Sequence, residues 1–310
     1  MSITWAEAGV VGLLQGVTEL FPVSSLGHTI LLPALIGGRW AQDLSVSTTE
    51  SPYLAFVVGL HVATAVALLI FFWRDWVRVV RGLATSLRDR RVVDDDQRLG
   101  WTLVLATIPV GIAGLLLEHT FRTVLGKPLP AAIFLMVNGV VLAGGELLRR
   151  RAEERAGSAP EVPPVRGGGG LATETAATAA RSDQRLATMG YGEGTLIGAA
   201  QIAALAPGIS RSGVTMVAGL LRGLSHEDAA RFSFLLATPV ILAAGVLKLP
   251  DLFGPLGDGI RGQVAFGSIL SGSGAYLAVR FLTRYFETRT LIPFAVYSFI
   301  AGLACTVYFA

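Results

Sequence analysis

Apolar residues run along the chain in blocks of two kinds. Six blocks are long and unbroken, at about 53–73, 101–118, 131–148, 229–249, 264–284 and 292–309. Each is close to the ~20 residues a helix needs to cross the hydrocarbon core of a bilayer. Two other apolar regions, 5–37 and 193–224, are interrupted near their middles by "FPVSSLGH" and "APGISRSG". The pieces after these breaks, "GHTILLPALIGG" and "GVTMVAGLLRGL", have about 12 residues, or ~18 Å of helix, roughly half a bilayer. A long helix kinked at proline is the bland reading. Pro, Gly and Ser cluster more densely here than a kink requires, and two re-entrant helix–loop–helix hairpins fit better. The pattern predicts an all-α polytopic membrane protein with six transmembrane helices and two re-entrant helix hairpins.

Basic residues then set the orientation. With three crossings between the hairpins, the loops 74–100 and 149–190 fall on one face with seven Lys or Arg each. Arg222, Arg231, Arg280, Arg284 and Arg289 join them there, against Arg39, Arg122, Lys127, Lys248 and Arg261 on the other face. Nineteen against five, with Arg211 set aside, marks the first face as cytoplasmic. Both termini are then expected outside, with the first hairpin opening outward and the second toward the cytoplasm.

The two halves echo each other. "GLLQGVTELFPVSSLG" and "GAAQIAALAPGISRSG" share Gly-x-x-Gln, then proline, serines and glycine, and "LATIPVGIAGLLLE" (105–118) echoes "LATPVILAAGVLK" (236–248). An odd number of crossings between the hairpins makes such repeats inverted, which places a site near the midplane where the two breaks meet. The expected organisation is a first repeat over 1–150 with hairpin 5–37, and a second over 191–310 with hairpin 193–224. Between them lies a flexible cytoplasmic linker at 151–190, polar and rich in Gly, Ala and Pro. The run from Arg88 to Asp96 reads as a solvated loop of mixed charge.

Composition narrows the function. Only 15% of the 310 residues are charged, against roughly 25% in soluble domains. The net charge of +3, spread between apolar blocks, gives no patch for nucleic acid. A lone Cys305 excludes an internal disulfide and a cysteine-based zinc site. The first twenty residues have no basic n-region and carry Glu7, Gln15 and Glu19, so they read as mature protein and not as a cleaved signal.

Within this apolar chain, Arg211 needs an anionic partner, because an unpaired arginine at membrane depth costs about 3 kcal/mol or more. A buried carboxylate would suffice. The flanking Ser210, Ser212 and Gly213 instead suggest an oxyanion, since hydroxyls, backbone N–H groups and a helix N-terminus converge there. Ser24, Ser25 and Gly27 open the half-helix of the first hairpin in the same way. Two helix N-termini and a planar guanidinium make a phosphate site. Gln15 and Glu19, four apart, share a helix face, and their oxygens suit Mg²⁺ or Ca²⁺ beside phosphate. His28, three residues after Ser25, is placed to accept its proton or to protonate a leaving group. His61 reads as a packing histidine, and Glu7, Glu118 and Glu146 as helix-end residues.

These motifs resemble the undecaprenyl-pyrophosphate phosphatase family, the integral membrane type known for bacitracin resistance. The family's first motif is similar to "LLQGVTELFPVSSLGHTILL" (13–32), and its second to "AQIAALAPGISRSGVTM" (200–216) running on into "FSFLLATPV" (232–240). The resemblance covers the chain apart from 151–190. It implies hydrolysis of undecaprenyl pyrophosphate to undecaprenyl phosphate in the bacterial plasma membrane, at a site reached from the outer face and dependent on a divalent metal. Gln15 stands where many members have glutamate. Matched residue by residue, Glu19 and Gln15 would hold the metal, Ser25 would be the nucleophile, and His28 its base and later acid. Arg211 with Ser210 and Ser212 would clamp phosphate. His28 as nucleophile, or as base for a water, is an alternative the sequence does not separate. A flippase or transporter of a phosphorylated lipid or anion shares the architecture but has no need of the Ser25–His28–Glu19 cluster. Oligomeric state, a homodimer included, is left open.

Overall fold

The computed structural model describes residues 3–44, 52–156, 182 and 184–310. Helix α1 (Trp5–Leu20) begins at a capping box: the Thr4 hydroxyl accepts the Glu7 N–H, and the Glu7 carboxylate accepts the Thr4 N–H. Glu7 is therefore buried as a cap residue rather than solvated. The chain turns at 21–24 and re-enters helix as α2 (Ser25–Ile36), which stops at Gly37 and Gly38, both at positive φ. A short α3 (Gly38–Asp43) follows. The first hairpin is thus two helices of 16 and 12 residues, the second too short to span.

Then come α4 (Pro52–Phe71), α5 (Trp73–Asp89), α6 (Asp95–Leu125) and α7 (Pro128–Ala156). The second hairpin is α8 (Tyr191–Ala199), a 3₁₀ turn at Ala200–Leu205, and α9 (Arg211–Leu221). The chain ends with α10 (His226–Phe253), α11 (Arg261–Tyr285) and α12 (Ile292–Phe309). Among the described residues six helices, α4, α6, α7, α10, α11 and α12, are long and apolar enough to cross a membrane.

Two expectations change. The segment 74–100 is not a loop: α5 occupies most of it, burying Val79, Gly82 and Ser86 on one face and leaving its arginines outside. Amphipathic spacing makes a helix without any long apolar block. The polar residues 151–156 continue α7 as helix, so the linker is shorter than 151–190. Of that linker, 157–181 and 183 lie outside the described residues. At its far end Arg185 and Ser182 bond to the buried Asp228 at the start of α10.

Close helix contacts need small residues. Gly12 and Gly16 of α1 lie against the backbone of Gly267 and Ser271 in α11, and Gly194 and Gly198 of α8 against Thr102 and Ala106 in α6. The remaining major pairs are α7 with α12, and α4 with both α10 and α11.

Candidate active site

Each hairpin turns at a proline and restarts on a serine cap. Ser24, held at φ +68°, accepts the Gly27 N–H at 3.2 Å, and Ser210 accepts the Gly213 N–H at 3.1 Å. Serine at an N-cap satisfies one of the orphan amides and leaves the positive helix end facing the turn. The turns touch: a Cβ on Gly27 would lie 3.0 Å from the Gly208 Cα. Gly208 itself sits at φ +111° against the Ala131 carbonyl, a conformation and a closeness that only glycine allows.

Asn138 of α7 locks the two turns together. Its Nδ2 donates to the Pro22 carbonyl at 3.0 Å and to Ser298 Oγ at 3.2 Å, and its Oδ1 accepts the Ser210 N–H at 2.9 Å. Ser212 adds a bond to the Phe21 carbonyl at 3.3 Å and lies 3.0 Å from Ser210 Oγ. All three side chains are buried.

Glu19 is the hub. Its Oε1 receives Arg211 Nη2 at 3.0 Å across the hairpin junction. Its Oε2 accepts the Ser25 hydroxyl at 2.5 Å and Gln15 Nε2 at 2.9 Å, with His61 Nε2 at 3.4 Å. His61 is thus a member of the site and not a packing histidine. Its Nδ1 donates to the Val57 carbonyl at 2.8 Å, which turns Nε2 toward the carboxylate.

Two buried groups around Glu19 are left unfilled. Among the described residues, Arg211 Nη1 and Gln15 Oε1 have no hydrogen-bond partner, where each such group normally costs about 1–3 kcal/mol. A donor and an acceptor flanking one carboxylate have chemistry suited to an oxyanion on one side and a cation on the other. Gln201 occupies the position of Gln15 in the second hairpin, but Leu205 stands where Glu19 would be. The second hairpin therefore brings cation and cap, and the first brings the carboxylate.

His28 is turned away from Ser25. Its Nδ1 donates to the Ser24 carbonyl at 2.7 Å, and its Nε2 lies 2.8 Å from the Tyr297 hydroxyl of α12. The expected Ser25–His28 contact is therefore not formed; the Ser25 hydroxyl donates to Glu19 instead. Since Nδ1 must donate to a carbonyl, Nε2 of the neutral ring accepts from tyrosine. Of the residues singled out in the sequence, Gln15, Glu19, Ser24, Ser25, Gly27, Ser210, Arg211, Ser212 and Gly213 are gathered at this junction. Asn138, His61 and Tyr297 were missed. A lone asparagine in an apolar span is itself a signal; Tyr297 offers none.

Glu146 also departs from its expected place. It is fully buried, with His226 Nε2 at 2.8 Å and Arg150 Nε at 3.2 Å, tying α7 to the start of α10.

Residues 8–304 match the family described as bacitracin resistance protein BacA. A protein of Mycolicibacterium paratuberculosis named undecaprenyl-diphosphatase is 65% identical over 308 residues, covering 99% of this chain and 98% of the relative. One of that name from Mycobacterium avium is 64% identical over 308 residues, with the same coverage. Undecaprenyl-diphosphatase 2 of Burkholderia orbicola is 44% identical over 303 residues, covering 96% and 95%.

Proposed function

The chain belongs to the BacA family of bacitracin resistance proteins, and on that premise we infer that it is an undecaprenyl-diphosphatase. It hydrolyses undecaprenyl pyrophosphate to undecaprenyl phosphate and inorganic phosphate in the membrane. The observation that carries this is the junction at Glu19, where Ser25 donates to one carboxylate oxygen and Arg211 to the other while keeping Nη1 free.

That geometry supports a role for each residue. Arg211 takes the terminal phosphate with its unpartnered arm, and the capped N-termini of α2 and α9 add positive potential. Phosphoryl transfer is mostly positioning and charge stabilisation, which this junction supplies. Ser25 Oγ attacks the terminal phosphorus as its proton passes to Glu19 Oε2. The phosphoanhydride bond breaks, undecaprenyl phosphate leaves with that electron pair, and Ser25 carries the phosphoryl group. Water then attacks that phosphorus, the bond from phosphorus to Ser25 Oγ breaks, Glu19 returns the proton to Ser25, and both protons of the water leave with inorganic phosphate. His28, held by the Ser24 carbonyl and the Tyr297 hydroxyl, stays outside these steps and fixes the start of α2 against α12.

A divalent cation fits here only together with substrate. Among the described residues no group of three or more His, Cys, Asp or Glu is placed to hold one. The donors present are the free Gln15 Oε1, Glu19 and the Ser25 hydroxyl, all oxygens, as Mg²⁺ and Ca²⁺ prefer. Gln15 and Glu19 would hold such an ion, and it would neutralise diphosphate charge.

The orientation and the repeats belong to the same proposal. Ion pairs Glu146–His226 and Asp75–Arg231 gather the ends of α5, α7 and α10 on the arginine-rich face, which supports a cytoplasmic assignment and an outward-facing first hairpin. The exchange of partners, α1 on α11 and α8 on α6, supports inverted repeats. The echo between 105–118 and 236–248 does not, because it pairs the second crossing of one half with the first of the other.

Purified protein in neutral detergent is expected to release one inorganic phosphate per undecaprenyl pyrophosphate consumed. Vectorial transport has no meaning there. Binding without phosphate release would replace the phosphatase by a carrier.

A further inference from the structure

At the arginine-rich end of α11 lies a second basic site, whose arginines take no part in the junction at Glu19. A shallow, largely open surface cavity is lined by the exposed Arg280, Arg284 and Arg289, with Phe281, Tyr285 and Leu277 as its apolar wall. Arg280 and Arg284 are one turn apart. The Arg289 N–H donates to the Tyr285 carbonyl at 3.0 Å, and this turn after α11 carries the third arginine to the same lining. Glu287 is the only carboxylate between 277 and 290, and none of the three arginines forms an ion pair with it or with any described residue.

Arginines at a helix C-terminus complement the macrodipole, and arginines on this face follow from topology. Neither effect calls for three unpaired guanidiniums around one cavity with an aromatic wall. Leu277 and Phe281, one turn apart on α11, are 65% and 53% exposed, so the basic cavity opens onto an apolar strip of a membrane-spanning helix. Phe281 stacks on Phe21 at 6.0 Å with ring planes 5° apart, which fixes that wall against the first hairpin's turn. Cationic fork above, apolar strip beside it: the pair matches a phosphate headgroup with its hydrocarbon tail.

We propose that this cavity binds the phosphate headgroup of an anionic lipid, with Arg280, Arg284 and Arg289 on the phosphate and the tail along Leu277 and Phe281. The proposal is independent of the hydrolytic reaction. It concerns a lipid phosphate, which either a bulk phospholipid or the polyprenyl phosphate carrier could supply.

The test is lipid binding to the full chain in neutral detergent, by native mass spectrometry or thermophoresis, with phosphatidylglycerol, undecaprenyl phosphate and inorganic phosphate as separate probes. Replacing Arg280, Arg284 and Arg289 together by glutamine is expected to weaken phosphatidylglycerol binding at least ~10-fold, since the charge-assisted fork contacts are lost. The same change at the exposed Arg81, Arg90 and Arg91, on the same face, should leave it near the parent's. Arg280→Gln and Arg284→Gln alone should each give part of the loss, which separates a binding defect from misfolding. Tighter binding of undecaprenyl phosphate than of phosphatidylglycerol, lost in the triple variant, would identify the carrier lipid as the source; the reverse order would identify bulk phospholipid. Equal loss in the two triple variants, no loss in the first, or displacement of lipid by inorganic phosphate at comparable concentration would overturn the proposal.

Discussion

Glu19 serves four partners at once, so substitutions around it should separate by role. Gln15 supplies a neutral oxygen beside that carboxylate. Gln15→Glu is expected to keep activity and lower the Mg²⁺ or Ca²⁺ concentration needed for half-maximal turnover, because hard cations gain from an added carboxylate. Glu19→Gln should nearly abolish turnover without rescue at high metal, because the base for the Ser25 proton is lost along with the charge beside the ion. A Glu19→Gln enzyme that titrates with metal as the parent does would remove Glu19 from the metal. Asn138 tests positioning. Asn138→Leu leaves the Ser210 N–H and the Pro22 carbonyl unpaired in a buried place, at about 1–3 kcal/mol each. Turnover should fall at least ~10-fold, while Asn138→Asp, which retains the acceptor for Ser210, should fall less at similar thermal stability. Equal losses in the two variants would mean the residue only fills space.

The residue scale also shows where sequence reasoning stops. Gln15 and Glu19 were legible because four-residue spacing on a helix fixes a shared face. The Ser25–His28 pairing was inferred from proximity along the chain, and geometry overrode it. His28 bonds back to the carbonyl four residues earlier, and its other nitrogen finds a tyrosine 269 positions away. A contact between distant helices leaves no local pattern, and His61 escaped for the same reason.

Among the elements, the six crossings and both breaks were legible because length and apolarity decide them. Helix α5 was not, because a search for unbroken apolar blocks passes over an amphipathic one; its buried Val79, Gly82 and Ser86 carry the signal at helical spacing. Orientation rests on where arginines fall between elements, and labelling can check it. In a Cys305→Ala background, Asp258→Cys should react with a membrane-impermeant thiol reagent in intact cells, and Arg90→Cys should react only after lysis. Both positions are exposed. Reaction of Arg90→Cys from outside would invert the assignment.

At the scale of the molecule, neither half is complete. The first hairpin holds carboxylate and hydroxyl; the second holds the guanidinium; and Asn138, from a crossing helix, joins the turns. The central claim is that these parts act as one catalytic unit across the junction. Residues of one unit give non-additive losses. The direct measurement is single-turnover phosphate release from undecaprenyl pyrophosphate by the parent, Ser25→Ala, Arg211→Lys and the double variant. Arg211→Lys keeps the charge but loses the two-armed geometry, and should slow release at least ~10-fold; Ser25→Ala should bind substrate and scarcely turn over. The double variant is expected to be little slower than Ser25→Ala alone. Losses that multiply in full would mean that the two hairpins contribute separately, and would contradict a shared site.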